Sequence, residues 1–303
     1  MERVPDVSVI ILTWNRRAWT TRCLESVRQL DYPKEHLHVI VVDNQSSDDT
    51  VAVVRDRFPE VELIVNPVNL GYAEGNNVGI RRALERGTDY VLLLNNDVTL
   101  ATDALTRLVE VAEQHQKAAF SGPKIFHLDR PDRIQTTGGF LDYLWRAHQR
   151  GLDELDSGRF DRVEEVDYVI GAAVLIRASL LPQIGLLDPR YYLYYEDTDW
   201  CLRARRMGYS TLFVPQAHAW HRSHHVRESE LPRITYYMAR NSLLLVRENG
   251  GGAVRFVAVF LRHLLTALTW TIKPKWRHKR TERDALLRGL WDYFMGRTGR
   301  GYL

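Results

Sequence analysis

The chain has 303 residues, a formal net charge of +3, 45% apolar and 26% charged side chains, which are the proportions of an ordinary globular protein. That length accommodates one large α/β domain, or one of about 220 to 250 residues with an appendage. Its two cysteines, Cys23 and Cys201, have neither paired nor metal-ligand spacing, which argues against a disulfide framework and for a reducing compartment; the N-terminal Met-Glu-Arg-Val-Pro-Asp has no basic segment leading into an apolar run, so no secretory signal is expected.

In chain order, Val7 to Thr13 reads as a continuous apolar strand, and Trp19, Cys23, Val27 and Leu30 recur at helical spacing. A second strand, His38 to Val42, ends in Asp43-Asn44, and Ser46 to Asp49 offers N-caps for a helix carrying Val51, Val54 and Phe58. Val61 to Val65 is a third strand, followed by a Gly- and Asn-rich loop from Asn69 to Asn77 and a helix through Ile80 and Leu84 that ends at Gly87. Tyr90 to Leu94 is a fourth strand, closed by Asn95-Asn96-Asp97; Thr102 then caps a helix carrying Leu105, Leu108 and Val109, and Ala118 to Phe120 begins the next strand. Alternation of this kind predicts a doubly wound parallel sheet with right-handed crossovers. Three strands end in polar groups, at Thr13-Trp14-Asn15, Asp43-Asn44 and Asn95-Asn96-Asp97. Lined along one sheet edge they make a pocket, since ligands of open α/β sheets bind outside the carboxyl ends of the strands.

The second half is less regular. Gly151 to Asp161 reads as a polar, mobile loop, and Val166 to Ile176 as a strand interrupted by Gly171-Ala172-Ala173. Tyr191 to Tyr195 leads into Glu196-Asp197-Thr198-Asp199, which opens a helix closed by Gly208; Tyr209 to Val214 is a strand, followed by a turn rich in histidine.

Five stretches, Val7 to Arg16, Val41 to Asp48, Asn69 to Asn77, Asn95 to Asp97 and Glu196 to Asp199, resemble in order the motifs of family 2 glycosyltransferases, and the rhamnosyltransferase-like branch above all, over roughly residues 7 to 245. The resemblance implies a GT-A fold: an α/β nucleotide-binding sandwich with a doubly wound mixed sheet, here followed by C-terminal amphipathic helices. It divides the chain into a catalytic domain of residues 1–250, with a nucleotide-binding half of about 1–120 and an acceptor half of about 121–250, and a basic helical tail of 251–303. It implies an inverting transfer of a sugar, with rhamnose from a dTDP donor the expectation from the branch, from a nucleotide-diphospho sugar to a glycan or lipid-linked acceptor in cell-envelope or polysaccharide synthesis. Mg²⁺ or Mn²⁺ would be the cofactor, with Asp97 and His221 as its ligands. Thr13, Asn15, Arg16, Asp43, Gly71, Asn76, Asn95 and Asn96 would surround the nucleotide. Asp197 would accept the acceptor proton and Glu196 would orient the acceptor. The family's Asp-x-Asp motif has Asn95 at its first position here, which leaves one carboxylate and a weaker metal site. His218, His224 and His225 lie close enough to His221 to compete for its alignment.

Bland readings stand beside these. Asp43 could serve an Asx-turn, Asp97 a helix cap, and Asp199 a pair with Arg203 at i,i+4. A nucleotidyltransferase and a non-catalytic nucleotide-binding membrane scaffold are the rival functions, although no Gly-rich triphosphate loop with a lysine follows the first strand. No Gln-x-x-Arg-Trp motif is present, which weighs against a processive synthase.

From Gly251 onward there are eleven Lys and Arg against three Asp and Glu, which leaves the first 250 residues at −5. Ala253 to Ile272 is apolar, with Arg255, Arg262, Thr266, Thr269 and Lys273 confined to about 60° of arc at about 100° per residue. Pro274 breaks this helix, a basic patch with Trp276 follows, and a second amphipathic helix shows Leu286, Leu287, Leu290, Trp291 and Phe294. Such a pair suits a peripheral position on an anionic membrane at its cytoplasmic face; packing on the catalytic domain and a homodimer remain open. The charge pattern gives no reason to expect nucleic acid as a partner.

Overall fold

The computed structural model describes residues 3–222 and 228–301, so His224 and His225 lie outside the described residues. Its strands are β1 (Val7–Thr13), β2 (Leu37–Asp43), β3 (Glu62–Val65), β4 (Tyr90–Asn95), β5 (Val98–Leu100), β6 (Ala118–His127), β7 (Ile134–Thr136), β8 (Gly139–Leu141), β9 (Ala147–Gln149), β10 (Glu164–Glu165), β11 (Ala173–Arg177) and β12 (Ser210–His221). Its α-helices are α1 (Arg17–Arg28), α2 (Thr50–Arg57), α3 (Gly71–Glu85), α4 (Ala104–Gln114), α5 (Leu181–Ile184), α6 (Glu196–Arg206), α7 (Leu231–Glu248), α8 (Gly252–Ile272) and α9 (Arg280–Phe294).

The main sheet runs β10-β12-β6-β11-β4-β1-β2-β3, with β5 added to β12 and β7 to β6; β8 and β9 form a separate hairpin. β4, β1, β2 and β3 are parallel, and β11 enters antiparallel between β4 and β6. Alternate residues of β1 point to opposite faces: Val7, Val9 and Ile11 join the core that includes residues of α1, α2 and α4, whereas Ile10 joins the core that includes residues of α3 and α6. Burial on both faces is why the first strands are unbroken apolar runs. The doubly wound mixed sheet expected from the sequence is the fold observed.

Several local expectations are corrected. Asn69 to Asn77 is not a loop, because α3 begins at Gly71. Its glycines at positions 75 and 79 let the helix press onto the sheet: a Cβ at Gly75 would come within 2.7 Å of Leu12, and one at Gly79 within 2.5 Å of Ile10. Only Ala173–Arg177 of the long strand expected at Val166 to Ile176 is formed. The histidine-rich stretch is not a turn: β12 continues through His218 to His221 after a bulge beyond Val214. The first turn of α4 follows Asp103, without a side-chain cap from Thr102. The 151–161 loop is anchored by the buried Lys124, whose Nζ lies 3.0 Å from Asp156 and 2.8 Å from Asp161.

Close helix-to-sheet contact makes Gly79 a test of this packing. Gly79→Val should destabilise the protein by about 1–3 kcal/mol through overpacking, read as a lower denaturant midpoint with an unchanged slope.

Candidate functional site

Because β1, β2 and β4 are parallel, their carboxyl ends share an edge, with Thr13 beside Asp43 and Leu12 beside Asn95 in register. Asp43 is fully buried; its Oδ1 accepts the Ser46 amide at 2.8 Å, while Oδ2 has no partner among the described residues. An unpartnered buried carboxylate oxygen is costly unless a ligand hydroxyl or amide satisfies it. The Asx-type bond expected as the bland reading of Asp43 is therefore present and uses only half of the carboxylate.

The other nucleotide-site candidates divide. Thr13 is buried and hydrogen-bonds Thr20 at 2.7 Å, and Asn96 donates to both hydroxyls at 3.0 and 3.2 Å, so Thr13 acts by orienting Asn96. Asn15, at φ 51°, accepts the Ser47 amide at 2.7 Å and so fastens the turn beyond Asp43. Arg16 is exposed at the end of β1. Gly71 has φ 81°, and a side chain there would collide with the Tyr192 ring; this close approach, with the left-handed backbone, accounts for the glycine. Asn76 is buried, its Nδ2 3.0 Å from the Tyr72 carbonyl. Gly71 and Asn76 thus belong to a helix that shapes the site and not to a phosphate loop. Thr20 was not singled out from the sequence, because a threonine on the inner face of a helix has no motif to mark it.

Asn96 and Asp97 form the tight turn between β4 and β5. There His221 Nε2 lies 3.2 Å from Asp97 Oδ1, both side chains about one-eighth exposed (12% and 13%). The other ring nitrogen, Nδ1, lies 2.8 Å from Gln135 Oε1, which fixes the ring toward the carboxylate. β12 brings this pair together by pairing His221 with Val98 of β5, a residue away from Asp97. One carboxylate oxygen and one imidazole nitrogen at this spacing fit a divalent cation that takes its other ligands from phosphate and water. Among the described residues no group of three His, Cys, Asp or Glu could hold a metal by itself. His218 pairs instead with Lys124 in the β6–β12 ladder and sets its ring edge-on to Phe126.

The acidic pair opens α6 across the same edge. Asp197 Oδ2 accepts the Gly171 amide at 2.9 Å and Oδ1 the Thr198 amide at 2.6 Å and hydroxyl at 3.1 Å. Burial pushes the Asp197 carboxyl above the ordinary range, against the pull of those donors. Glu196 is only 5% exposed, and its Oε2 has no partner among the described residues. Burial, followed by the Asp197 charge, drives its carboxyl well above the usual range and favours the protonated acid. Tyr72 joins the two halves: its hydroxyl donates to the Gly171 carbonyl at 2.6 Å, and burial followed by the charges of Glu196, Asp197 and Asp97 pushes it up. Beside it the Asn95 amide donates to Ala172 at 2.8 Å. Asp199, by contrast, is spent on structure, with Arg203 Nε 2.8 Å and Asn249 Nδ2 2.7 Å away.

The acidic pair is delivered by a turn in which Tyr192, Tyr194 and Tyr195 all have left-handed backbones (φ 63°, 69° and 72°), each costing of order 1–3 kcal/mol. Asn241 Nδ2 lies 2.9–3.0 Å from the carbonyls of Tyr191, Leu193 and Tyr194. Arg240 Nη2 donates to the carbonyls of Arg190 and Tyr191 at 3.0 Å, and its Nη1 to Gly299 at 2.8 Å. In the sequence Arg240-Asn241 shows only a further resemblance to the family; its role becomes visible when the turn is laid against it.

Residues 8–183 match the family model Glycosyl transferase family 2, and the chain belongs to that family. It is 28% identical over 208 residues to an N-acetylglucosaminyl-diphospho-decaprenol L-rhamnosyltransferase of Mycobacterium tuberculosis, covering 62% of this chain and 67% of the relative. It is 25% identical to the rhamnosyltransferase WbbL of Escherichia coli K12, covering 78% and 94%. Its fold is similar to that of the mannosyltransferase PcManGT of Pyrobaculum calidifontis, solved with GDP-Man and Mn²⁺, at a TM-score of 0.59 and 15% identity over 97% of this chain and 88% of the other. The architecture is GT-A.

Replacing Asn241 by the near-isosteric leucine takes the side-chain donor from the Leu193 and Tyr194 carbonyls, at about 1–3 kcal/mol each, while Tyr191 keeps Arg240. Asn241→Leu should lower turnover at least about tenfold while nucleotide affinity, measured by calorimetry, stays near that of the wild type.

Proposed function

We propose that the protein is an inverting glycosyltransferase that moves a sugar from a nucleotide-diphospho sugar to an acceptor hydroxyl. The observation that carries this reading is the meeting of the Asp97–His221 pair with Glu196-Asp197 across one sheet edge, linked through Tyr72 and Gly171. The unpartnered Oδ2 of Asp43 would accept from the base or ribose, with Arg16 at the mouth suited to a phosphate or a stacked base. Asp197 would take the acceptor proton as that hydroxyl attacks the anomeric carbon and the nucleoside diphosphate departs from the opposite face. One displacement inverts the centre. Glu196, held as the protonated acid, would donate a hydrogen bond to the acceptor. Asp97 and His221 would hold Mg²⁺ or Mn²⁺, which, when bound, offsets the charge developing on the leaving diphosphate. Asn95 would contribute a neutral donor beside it, while Asn96, whose amide group donates to Thr13 and Thr20, would offer its carbonyl oxygen to the nucleotide.

The names of the relatives support rhamnose from a dTDP donor and a lipid-linked glycan acceptor in envelope or polysaccharide assembly. We assign catalysis to residues 1–250 and treat 251–303 as the tail. A charged donor does not cross a bilayer, so the reaction belongs on the cytoplasmic side. The rival nucleotidyltransferase reading would want a Gly-rich triphosphate loop with a lysine directly after β1, where Trp14, Asn15 and Arg16 stand instead.

Asp197→Asn should lower turnover about 10²- to 10⁴-fold with nucleotide binding retained. Because the Asp197 carboxyl is raised, kcat/KM should fall as pH drops through a value above the ordinary carboxylate range. Thr198→Val removes a donor that favours the ionised form and should move this acid limb to still higher pH; a limb that stays put would remove Asp197 from the base role. For the metal, dTDP, UDP and GDP can be compared by thermal shift with and without Mn²⁺. The preferred nucleotide should stabilise the protein more with the cation present, and Asp97→Ala or His221→Ala should erase that increment alone.

A further inference from the structure

α8 has three faces at about 100° per residue. Phe256, Val259, Phe260 and Ala267 pack against α7 and α9. Arg255 and Arg262 face the 142–146 turn, with the Arg255 guanidinium 5.3 Å over the Tyr143 ring. The third face is apolar and open: Val254 is 77% exposed, Leu265 62%, Leu268 53% and Ile272 66%. By length and composition α8 could cross a bilayer, but its packed face fastens it along the body of the protein. α9 divides in the same way, with Leu286 and Leu290 buried and Leu287, Trp291 and Phe294 exposed.

Charge indicates what covers this surface. Directly after α8, the 273–280 segment carries Lys273, Lys275, Arg277 and Arg280 in the open, and Lys275 lies 5.0 Å over the Trp276 ring. Between α8 and the 142–146 turn is a groove of about 560 Å³ lined by Arg146, Leu261, Arg262, Leu265, Trp270 and Trp276. Leu261 and Leu265 belong both to this groove and to the open face. Arg262 Nη1 is buried there without a partner among the described residues, and the nearby Arg146 is a second cation. A second copy of the chain would bring two such basic surfaces together, and an anionic lipid surface would neutralise them.

We propose that the open face of α8, with the exposed side chains of α9, lies in the interface of an anionic phospholipid bilayer, and that Arg262 and Arg146 receive a lipid phosphate in the adjoining groove. The apolar arc enters the headgroup boundary while the 273–280 segment meets the surface charge. The helix lies in the membrane plane and does not span it.

Flotation of the full chain with phosphatidylcholine vesicles, with and without phosphatidylglycerol, tests this directly. The wild type should float with the anionic vesicles, less so at high salt, and not with the neutral ones. Leu265→Glu/Leu268→Glu and, separately, Lys275→Glu/Arg277→Glu should each reduce the floating fraction at least about tenfold, with thermal unfolding unchanged because all four side chains are exposed. Arg262→Gln should weaken flotation without abolishing it. Failure of the wild type to float, equal flotation on neutral vesicles, or unchanged flotation of both double variants would overturn the proposal. So would light scattering that finds a dimer dissociated by Leu265→Glu/Leu268→Glu. The readout is binding, so it stands or falls separately from sugar transfer.

Discussion

The tyrosine turn before α6 is the constraint on which the arrangement depends. Three consecutive-region residues, Tyr192, Tyr194 and Tyr195, hold left-handed backbones that an isolated chain would leave. They persist because the buried Asn241 captures the carbonyls of Tyr191, Leu193 and Tyr194, and the buried Arg240 those of Arg190 and Tyr191. The same turn reaches the other way, where the Tyr192 carbonyl accepts the Tyr72 amide at 2.9 Å. Strain, bracket and α3 together set where Glu196 and Asp197 begin their helix.

A second consequence concerns the tail. Gly299 accepts from Arg240 and donates to the Arg190 carbonyl at 2.8 Å, and the Tyr237 hydroxyl donates to Gly301 at 3.0 Å. The segment after α9 therefore closes over the same bracket that holds the acidic turn. The basic helical region is continuous with the catalytic architecture through these bonds, and its outward apolar face and its inward polar contacts are two sides of one helix layer.

Much of the sheet was legible because burial on both faces demands unbroken apolar strands, and β1, β2 and β4 have them. The polar residues at their ends were expected to share one edge, and in register Thr13 stands beside Asp43 and Leu12 beside Asn95. What misled was local chemistry read without its surroundings. Gly71 and Gly75 looked like a loop, because small residues serve turns and close helix packing alike, and only the approach of Tyr192 and Leu12 distinguishes the two. The histidines looked like a turn because the bulge after Val214 interrupts the strand's alternation while its pairing to β6 continues. Thr13 and Asn15 were expected to surround the nucleotide, yet their side chains are engaged by Thr20, Asn96 and the 46–48 turn.

By itself the sequence determined the alternation of strands and helices, the edge at which polar groups gather, the family and the presence of an acidic pair and an Asp97–His221 candidate. These follow from patterns of burial and residue type that are written locally. The tertiary structure decided that Nε2 of His221 faces Asp97, that Oδ2 of Asp43 and Oε2 of Glu196 are buried without partners among the described residues, and that α8 turns its apolar arc outward. Each of these depends on which side chains from distant segments arrive at one point. Such meetings, between Val98 and His221 or between Tyr191 and Asn241, are set by packing across long stretches of chain and leave no periodic trace in it.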